Sequence, residues 1–323
     1  MIVGIDGGGT KVECVLGSDA GRILGRGIGG PVNTNFSTVW EVVQSFDRAI
    51  EASLLQAQVA EDQVSLVVVG SPTRRETLAS VVGRWFPRAE MLSVSEGQLV
   101  LAAGGLVERG VAVISGTGSL VFARDAVGRT ISVGGWGTVL GDDGSAYDIA
   151  VSALRAVCRA DDGRGPSTRL TERILSWAQV GHPREIPQAI YGPNAPSRCA
   201  VAALAQDVAE AAGAGDAVAH DILVQAGSAL ADQVTATALR IGFEPGNPMT
   251  VVASGGVLMG NATVFSELVQ RVQSPYPQAE IQRASVSPAI GGVAIGLRQA
   301  GASQSTLLEL FPPPGALKGG GSA

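Results

Sequence analysis

The amino-acid sequence predicts an α/β protein of two domains, and three observations support that prediction. The chain has 323 residues, which is more than one hydrophobic core usually accommodates. Apolar stretches typical of buried strands alternate with stretches of helical periodicity. A strand, a glycine-rich turn and a returning strand begin the chain and recur about 110 residues later, as either a repeated unit or two independent hairpins.

The N-terminal part of the chain carries the first instance of this pattern. Residues 2–16 predict two short strands joined by a Gly-Gly-Gly-Thr turn. A helix is expected near residues 39–57, because apolar side chains share one face there and Thr38 with Glu41 matches a capping box. The continuous apolar stretch within residues 63–70 is typical of a buried strand.

The second instance begins at Gly110. Residues 111–123 predict two strands around a Ser-Gly-Thr-Gly-Ser turn, and residues 129–133 predict a third strand. Residues 216–241 have the periodicity of a long helix. Residues 250–253 predict a buried strand that leads into a Ser-Gly-Gly-Val turn, so this part of the chain is also α/β in character.

Composition and charge exclude several classes of protein. Hydrophobic residues make up 46% of the chain and charged residues 16%, which excludes a largely disordered protein. The net charge of −6 and the scattered Lys and Arg residues predict no nucleic-acid partner. The three cysteines are odd in number and far apart, unlike a disulfide framework or a metal site. No apolar stretch approaches the roughly 18 residues of a membrane span, and the N-terminus predicts a strand instead of a signal peptide. We therefore expect a cytoplasmic protein without a membrane partner.

Three glycine-rich turns, each following an apolar strand, are the features of the sequence that indicate a ligand site. We name them the first glycine turn (residues 7–11), the second glycine turn (residues 116–119) and the third glycine turn (residues 255–256). A backbone without Cβ atoms can approach a polyphosphate closely and direct several N–H groups at it. The hydroxyls of Thr10 and Thr117 add donors. Any one turn could be a tight hairpin, but the three together predict a nucleotide site.

A carboxylate directly precedes the first glycine turn. Asp6 ends the first predicted strand. An oxygen ligand in that position could hold Mg2+ through the water shell that this ion retains.

Four segments resemble the motifs of one protein family. Residues 4–11 (GIDGGGTK) and 114–119 (ISGTGS) resemble the two phosphate loops of the actin, Hsp70 and hexokinase superfamily. Residues 134–147 (GGWGTVLGDDGSAY) are similar to the GGWG…GDEGSAY segment of N-acetylglucosamine kinases, and residues 254–257 (SGGV) resemble the adenosine-binding turn. The resemblance runs nearly from end to end in the right order. The chain resembles the N-acetylglucosamine kinases and the related BadF/BadG/BcrA/BcrD ATPases.

The resemblance implies a specific architecture. We expect two RNase H-like domains of the actin-like ATPase fold, with ATP bound in the interdomain cleft. The N-terminal domain would comprise residues 1–108 and be completed by a C-terminal helix at about 289–311. The C-terminal domain would comprise residues 109–288, and residues 312–323 have the composition of a flexible tail.

The resemblance also implies an activity. The chain would be an ATP- and Mg2+-dependent kinase that phosphorylates an amino sugar, N-acetylglucosamine or glucosamine, at the 6-hydroxyl. Its partner would be a small-molecule sugar, and a homodimer is left open. Two alternatives remain at this point, a BadF-type ATPase without sugar kinase activity and a catalytically impaired homologue that senses a sugar.

The resemblance assigns roles to individual residues. Asp6 would serve Mg2+, and Thr10 and Thr117 would contact the ATP phosphates. The nucleotide-binding residues would be Gly7, Gly8, Gly9, Thr10, Lys11, Gly116, Thr117, Gly118, Ser119, Gly215, Gly255 and Gly256. The sugar-contacting residues would be Asn33, Gly135, Trp136, Gly137 and Asp142. As structural alternatives, Asn33 could form an Asx turn, Trp136 could be a core aromatic and Asp142 could cap a helix.

The catalytic base is where the sequence departs from the family. The family has an Asp a little upstream of its second phosphate loop, whereas residues 92–99 of this chain read LSVSEGQL. Glu96 is the sole carboxylate near the expected strand end, so Glu96 and Asp6 are the predicted catalytic residues. The alternative is that Glu96 is a solvated turn residue and the base is missing.

Overall fold

The computed structural model describes residues 1–311, which form two compact units. The first unit is Met1–Gly110 together with the described residues from Gln282 onward, and the second is Val111–Ile281. Each unit contains one five-stranded sheet with helices packed against it. The tail predicted at residues 312–323 lies outside the described residues.

Residues 1–311 contain ten strands and twelve α-helices. The elements up to residue 124 are β1 (Ile2–Gly7), β2 (Val12–Gly17), β3 (Ile23–Gly29), α1 (Val39–Ala57), β4 (Leu66–Gly70), α2 (Arg75–Trp85), β5 (Glu90–Val94), α3 (Glu96–Ala103), β6 (Gly110–Ser115) and β7 (Ser119–Arg124). The later elements are β8 (Thr130–Gly134), α4 (Ala146–Asp161), α5 (Leu170–Ala178), α6 (Ile186–Tyr191), α7 (Arg198–Gly213), α8 (Ala217–Ile241), β9 (Met249–Ser254), α9 (Gly256–Gly260), α10 (Ala262–Gln273), β10 (Ala279–Arg283), α11 (Pro288–Gln299) and α12 (Gln304–Leu308).

The two sheets have the same strand order. The first sheet runs β3-β2-β1-β4-β5 and the second runs β8-β7-β6-β9-β10. In the first sheet β1 is antiparallel to β2 and parallel to β4, and in the second β6 is parallel to β9. The repeated strand–turn–strand pattern thus extends to all five strands, which favours a repeated unit over two independent hairpins. The predicted α/β fold class is confirmed.

Local capping signals fix two of the helices as the sequence predicts. Thr38 Oγ1 accepts the Glu41 N–H at 3.3 Å, and the Glu41 carboxylate accepts the Thr38 N–H at 2.8 Å. This capping box starts α1, which buries Phe46 and Ile50 in the core of the first unit. At the other end of the chain, Gly242 closes α8 in the left-handed conformation, with φ of 91°.

The C-terminal helix differs from its predicted extent. The sequence predicts one helix at about 289–311, but the chain forms α11 and then the short α12. Gly301 takes a left-handed φ of 79° after α11, and Ser303 caps α12 by accepting the Thr306 N–H at 3.2 Å. The left-handed glycine and the new cap end one helix and start another. Before that break, α11 buries Val293 and Leu297 against the first sheet.

None of the helices in residues 1–311 is long and apolar enough to cross a membrane.

All three cysteines are free thiols, and Cys14 is buried in β2. Burial raises the pKa of the Cys14 thiol to about 12, so this cysteine is a core residue without nucleophilic character.

Candidate active site

The first glycine turn joins β1 to β2 and is hydrogen-bonded to the segment that follows β3. The Gly8 N–H donates to the Lys11 carbonyl at 2.8 Å, which closes the turn. The Val32 N–H donates to the Gly8 carbonyl at 3.1 Å. Thr10 and Lys11 are exposed at the tip of the turn, so their side chains can reach a ligand.

Asp6 and Glu96 lie at the same edge of the first sheet. Because β1, β4 and β5 run parallel, Asp6 aligns with Gly70, and Gly70 aligns with Val94 at the carboxyl ends of the strands. Ser95 then caps α3, so Glu96 is the first residue of that helix. Glu96 is therefore a partly buried helix residue and not a solvated turn residue.

The environment of these two carboxyl groups favours their protonated forms. Burial, followed by the charge of Glu13, raises the pKa of Asp6 to about 7, although Lys11 opposes the shift. Burial, followed by the charge of Asp6, raises the pKa of Glu96 to about 8. The N-terminal end of α3 favours a negative charge at Glu96, but burial outweighs it. Carboxyl groups with raised pKa values close to neutral pH are typical of acid–base sites.

The donor set around Asp6 fits a divalent cation. Glu13 already forms a salt bridge with Arg26 at 2.6 Å, so the charges of Asp6 and Glu96 are the ones that a cation would balance. Within residues 1–311, no group of three or more His, Cys, Asp or Glu side chains could hold a metal alone. Mg2+ binds through one or two carboxylates and completes its shell with waters and substrate phosphates, so Asp6 suits this ion.

The predicted sugar-contacting Asn33 lies next to the first glycine turn. Its Oδ1 accepts the Asn35 N–H at 3.0 Å, so the Asx turn that was the structural alternative is formed. This bond uses one lone pair of the side-chain carbonyl and leaves the other available to a ligand. The segment is anchored by Thr73, whose hydroxyl donates to the Val32 carbonyl at 2.5 Å.

The second glycine turn is bound to the segment that precedes α4. We call residues 135–145 the tryptophan loop. The Ser115 hydroxyl donates to the Gly144 carbonyl and the Ser119 hydroxyl donates to the Asp143 carbonyl, both at 2.8 Å. The Gly135 N–H donates to the Ser119 carbonyl at 3.0 Å. The second glycine turn and the tryptophan loop are therefore one hydrogen-bonded assembly.

The third glycine turn lies directly beside the second. Gly255 has a left-handed φ of 91°, and a Cβ at that position would clash with the Ser115 carbonyl oxygen. Only glycine fits such a close approach in that conformation. In the second sheet Ile114 pairs with Ser254, so the two turns leave neighbouring parallel strands at the same edge.

The tip of the tryptophan loop is open to solvent. Trp136 is 73% exposed, so the alternative of a core aromatic is wrong. Gly135 and Gly137 flank it with left-handed φ angles of 70° and 83°. An exposed aromatic ring between two such glycines is available for stacking on a ligand.

Asp142 is buried, and two groups of the second unit contact its carboxylate. Its side chain is 5% exposed, and Oδ2 accepts a hydrogen bond from Arg198 at 2.7 Å. Oδ1 accepts the Ser119 N–H at 3.2 Å. The helix-cap alternative is wrong, because Ser145 caps α4 by accepting the Asp148 N–H. Asp142 is thus a buried ionic residue attached to the second glycine turn.

Gly215 is the remaining predicted nucleotide-binding residue of the second unit. Among the described residues, no backbone hydrogen bond joins it to the second or third glycine turn. It precedes α8 with a φ of 86°, and a Cβ there would meet no atom within 4 Å. The neighbouring Asp216 caps α8, with Oδ1 accepting the Ala219 N–H at 2.8 Å.

The sequence did not indicate Thr73 or Arg198 as residues of the candidate site, because neither belongs to a recognisable motif.

The chain is similar in sequence to two kinases of N-acetylated amino sugars. The chain is 27% identical over 299 residues to an N-acetylmuramic acid/N-acetylglucosamine kinase of Clostridium acetobutylicum, covering 91% of this chain and 97% of the relative. It is 29% identical over 316 residues to an N-acetyl-D-glucosamine kinase of Dictyostelium discoideum, covering 92% and 98%.

A solved structure and a family model also match this chain. The structure of a proposed N-acetylglucosamine kinase from Chromobacterium violaceum superposes with a TM-score of 0.69 at 22% identity, covering 90% of this chain and 97% of that one. The model of the BadF/BadG/BcrA/BcrD ATPase family matches residues 3–296. The chain belongs to the BadF/BadG/BcrA/BcrD ATPase family.

Proposed function

We propose that this protein is an ATP-dependent kinase that transfers the γ-phosphoryl group to an amino sugar, N-acetylglucosamine or glucosamine, at the 6-hydroxyl. The similarity to kinases of N-acetylated amino sugars supports the substrate class. The ATPase family supports ATP as the phosphoryl donor. We further propose that the two units act as the two functional domains.

The observation that carries this proposal is the pair of carboxyl groups at the edge of the first sheet. Glu96 would accept the proton of the sugar hydroxyl as the oxygen attacks the γ-phosphorus and ADP leaves. Asp6 would hold Mg2+, which would neutralise phosphate charge when bound. A base with a raised pKa binds the proton strongly enough to make that transfer favourable.

The remaining site residues have proposed roles in binding. In the first unit, the backbone N–H groups of the first glycine turn and the Thr10 hydroxyl would contact phosphates, and Asn33 would contact the sugar. In the second unit, the second glycine turn with Thr117 would contact phosphates, and the third glycine turn would contact the adenosine. Trp136, its flanking glycines and Asp142 would contact the sugar. Positioning of this kind supplies most of the catalysis in phosphoryl transfer.

A coupled assay of ADP release tests the proposal. Purified protein is incubated with ATP, Mg2+ and one of N-acetylglucosamine, glucosamine, N-acetylmuramic acid, glucose or no sugar. We expect ADP release to depend on the sugar and to be fastest with an amino sugar. A 6-deoxy analogue of the best substrate should bind without turnover.

Other outcomes of that assay have clear meanings. ADP release at the same rate with and without every sugar would contradict the kinase and indicate an ATPase. Sugar and ATP binding in calorimetry without turnover would indicate a catalytically impaired homologue.

Asp142→Ala is expected to raise the KM for both the sugar and ATP by roughly tenfold, and to lower the melting temperature. The variant removes the acceptor of the Ser119 N–H and leaves Arg198 buried without its carboxylate. A hydrogen bond to a charged group is worth about 1.5–3 kcal/mol. Initial rates measured against each substrate separately will check this.

Asp143→Ala is the matched control for this prediction. The Asp143 side chain is exposed, and its carbonyl contacts survive the substitution. We expect parent-like KM values and stability. If Asp142→Ala raised the sugar KM alone at an unchanged melting temperature, Asp142 would act on the sugar only and not on the second glycine turn.

A further inference from the structure

Arg198 makes a buried contact that links two functional loops of the second unit. It is the first residue of α7, and its side chain is 14% exposed. Its Nη2 donates to Asp142 Oδ2 at 2.7 Å, across a sequence separation of 56 residues. A guanidinium group is well suited to hold a buried carboxylate, because its planar donors have a fixed geometry.

The same ion pair lies directly against the second glycine turn. A Cβ on Gly118 would be 2.7 Å from Arg198 Nη2 and 2.9 Å from Asp142 Oδ1. The missing side chain at Gly118 therefore makes room for the ion pair. Since Ser119 donates its backbone N–H to Asp142 Oδ1, the carboxylate touches two successive residues of the turn.

Asp142 is held in a backbone conformation that needs support. Its φ is 60°, in the left-handed region that non-glycine residues seldom adopt. Such a conformation persists where surrounding contacts over-determine it. The contacts on its carboxylate come from Arg198 and Ser119, so Arg198 is one of the groups that fix the tryptophan loop at Asp142.

The ion pair also offsets an unfavourable positive charge at the start of α7. An arginine in the first turn of a helix faces the positive end of the helix dipole, which is unfavourable. The Asp142 carboxylate compensates for that cost. In turn, Arg198 neutralises a buried negative charge beside a turn that is proposed to bind phosphates, where an unbalanced carboxylate would repel them.

We propose that Arg198 is a positioning residue that fixes Asp142 against the second glycine turn and thereby couples the tryptophan loop to nucleotide binding. The coupling to the sugar rests on the proposed amino-sugar kinase function, whereas the effect on the nucleotide rests only on the proposed phosphate contacts of the second glycine turn. A loop that contacts the sugar and a turn that contacts the phosphates then share one ion pair. Sugar binding should consequently tighten nucleotide binding, and the reverse.

The test measures the dissociation constant of ADP by calorimetry, with and without saturating N-acetylglucosamine. For Arg198→Gln we expect ADP binding to weaken by roughly tenfold and the effect of the sugar on ADP binding to disappear. Arg198→Lys keeps the charge but loses the planar donors, so we expect it to restore part of both effects. Arg173→Gln is the matched control, because Arg173 binds Asp207 and Glu210 within α7 but contacts neither loop; it should behave like the parent.

A double variant keeps the test decisive if Arg198→Gln alone is poorly folded. Asp142→Asn with Arg198→Gln removes both buried charges together, so neither is left unpaired. We expect the double variant to bind ADP more weakly than the parent and to lose the effect of the sugar on ADP binding, because the ion pair is absent from it. Parent-like ADP binding with a parent-like response to the sugar would contradict the proposal.

Two results separate this inference from the proposed function. If Arg198→Gln bound ADP, and responded to the sugar, as Arg173→Gln does, the role of Arg198 would be refuted even in an active kinase. If the parent phosphorylated no amino sugar but Arg198→Gln still weakened ADP binding, the proposed function would fail while the link from Arg198 to the second glycine turn stood.

Discussion

Asp6→Asn is expected to lower kcat for sugar phosphorylation by roughly 10²–10³-fold or more while leaving the protein folded. The substitution keeps the shape of the side chain and removes the charge that would orient Mg2+. It also removes the repulsion between Asp6 and Glu13, which face each other across β1 and β2. The melting temperature should therefore equal or exceed that of the parent. Steady-state rates over a Mg2+ titration, with thermal unfolding of the same samples, will check both statements.

Asp19→Asn provides the control for this experiment. Asp19 is an exposed carboxylate that pairs with the N-terminal amino group at 3.2 Å, so its loss should not change kcat or the Mg2+ dependence. Parent-like turnover and Mg2+ dependence in Asp6→Asn would show that the first glycine turn does not hold the metal–nucleotide complex.

Local sequence signals predicted most of the framework around the candidate site. The first and second glycine turns lie between strands as expected, because a glycine-rich turn between two apolar stretches specifies a hairpin within a few residues. The Thr38 capping box and Gly242 fix helix ends by contacts with their own neighbours. Such features depend on residues close in sequence, and the sequence contains them directly.

Features that depend on distant partners were not predictable in the same way. The raised pKa of Glu96 arises from burial and from Asp6, which is brought to the same sheet edge by the parallel register of three strands. The ion pair between Asp142 and Arg198 joins positions in a loop and a later helix. The motif in which Asp142 lies indicated its importance, but only tertiary packing determines its partners.

Glu96→Gln is expected to lower kcat by roughly 10²–10⁴-fold, the usual contribution of general base catalysis. The amide has nearly the same size but cannot accept the proton of the sugar hydroxyl. ATP binding should change little, because Glu96 is proposed to act on the sugar hydroxyl. Glu96→Asp should retain part of the activity, since it keeps the carboxylate and loses about one methylene of reach. Glu90→Gln, at an exposed position in β5, is the control and should match the parent.

The pH dependence distinguishes a catalytic role of Glu96 from a structural one. The base acts in its ionised form and burial raises its pKa to about 8, so kcat/KM of the parent should rise with pH up to that value. In Glu96→Gln this dependence on Glu96 should be lost.

The same carboxyl group also makes stability depend on pH. Between pH 4.5 and about 8, Glu96 stays protonated in the folded state but is ionised in the unfolded state. The free energy of unfolding should therefore fall as pH rises between these values, and Glu96→Gln should be more stable than the parent at pH 8. A variant that is stabilised in this way yet turns over sugar as fast as the parent would place the base at another residue.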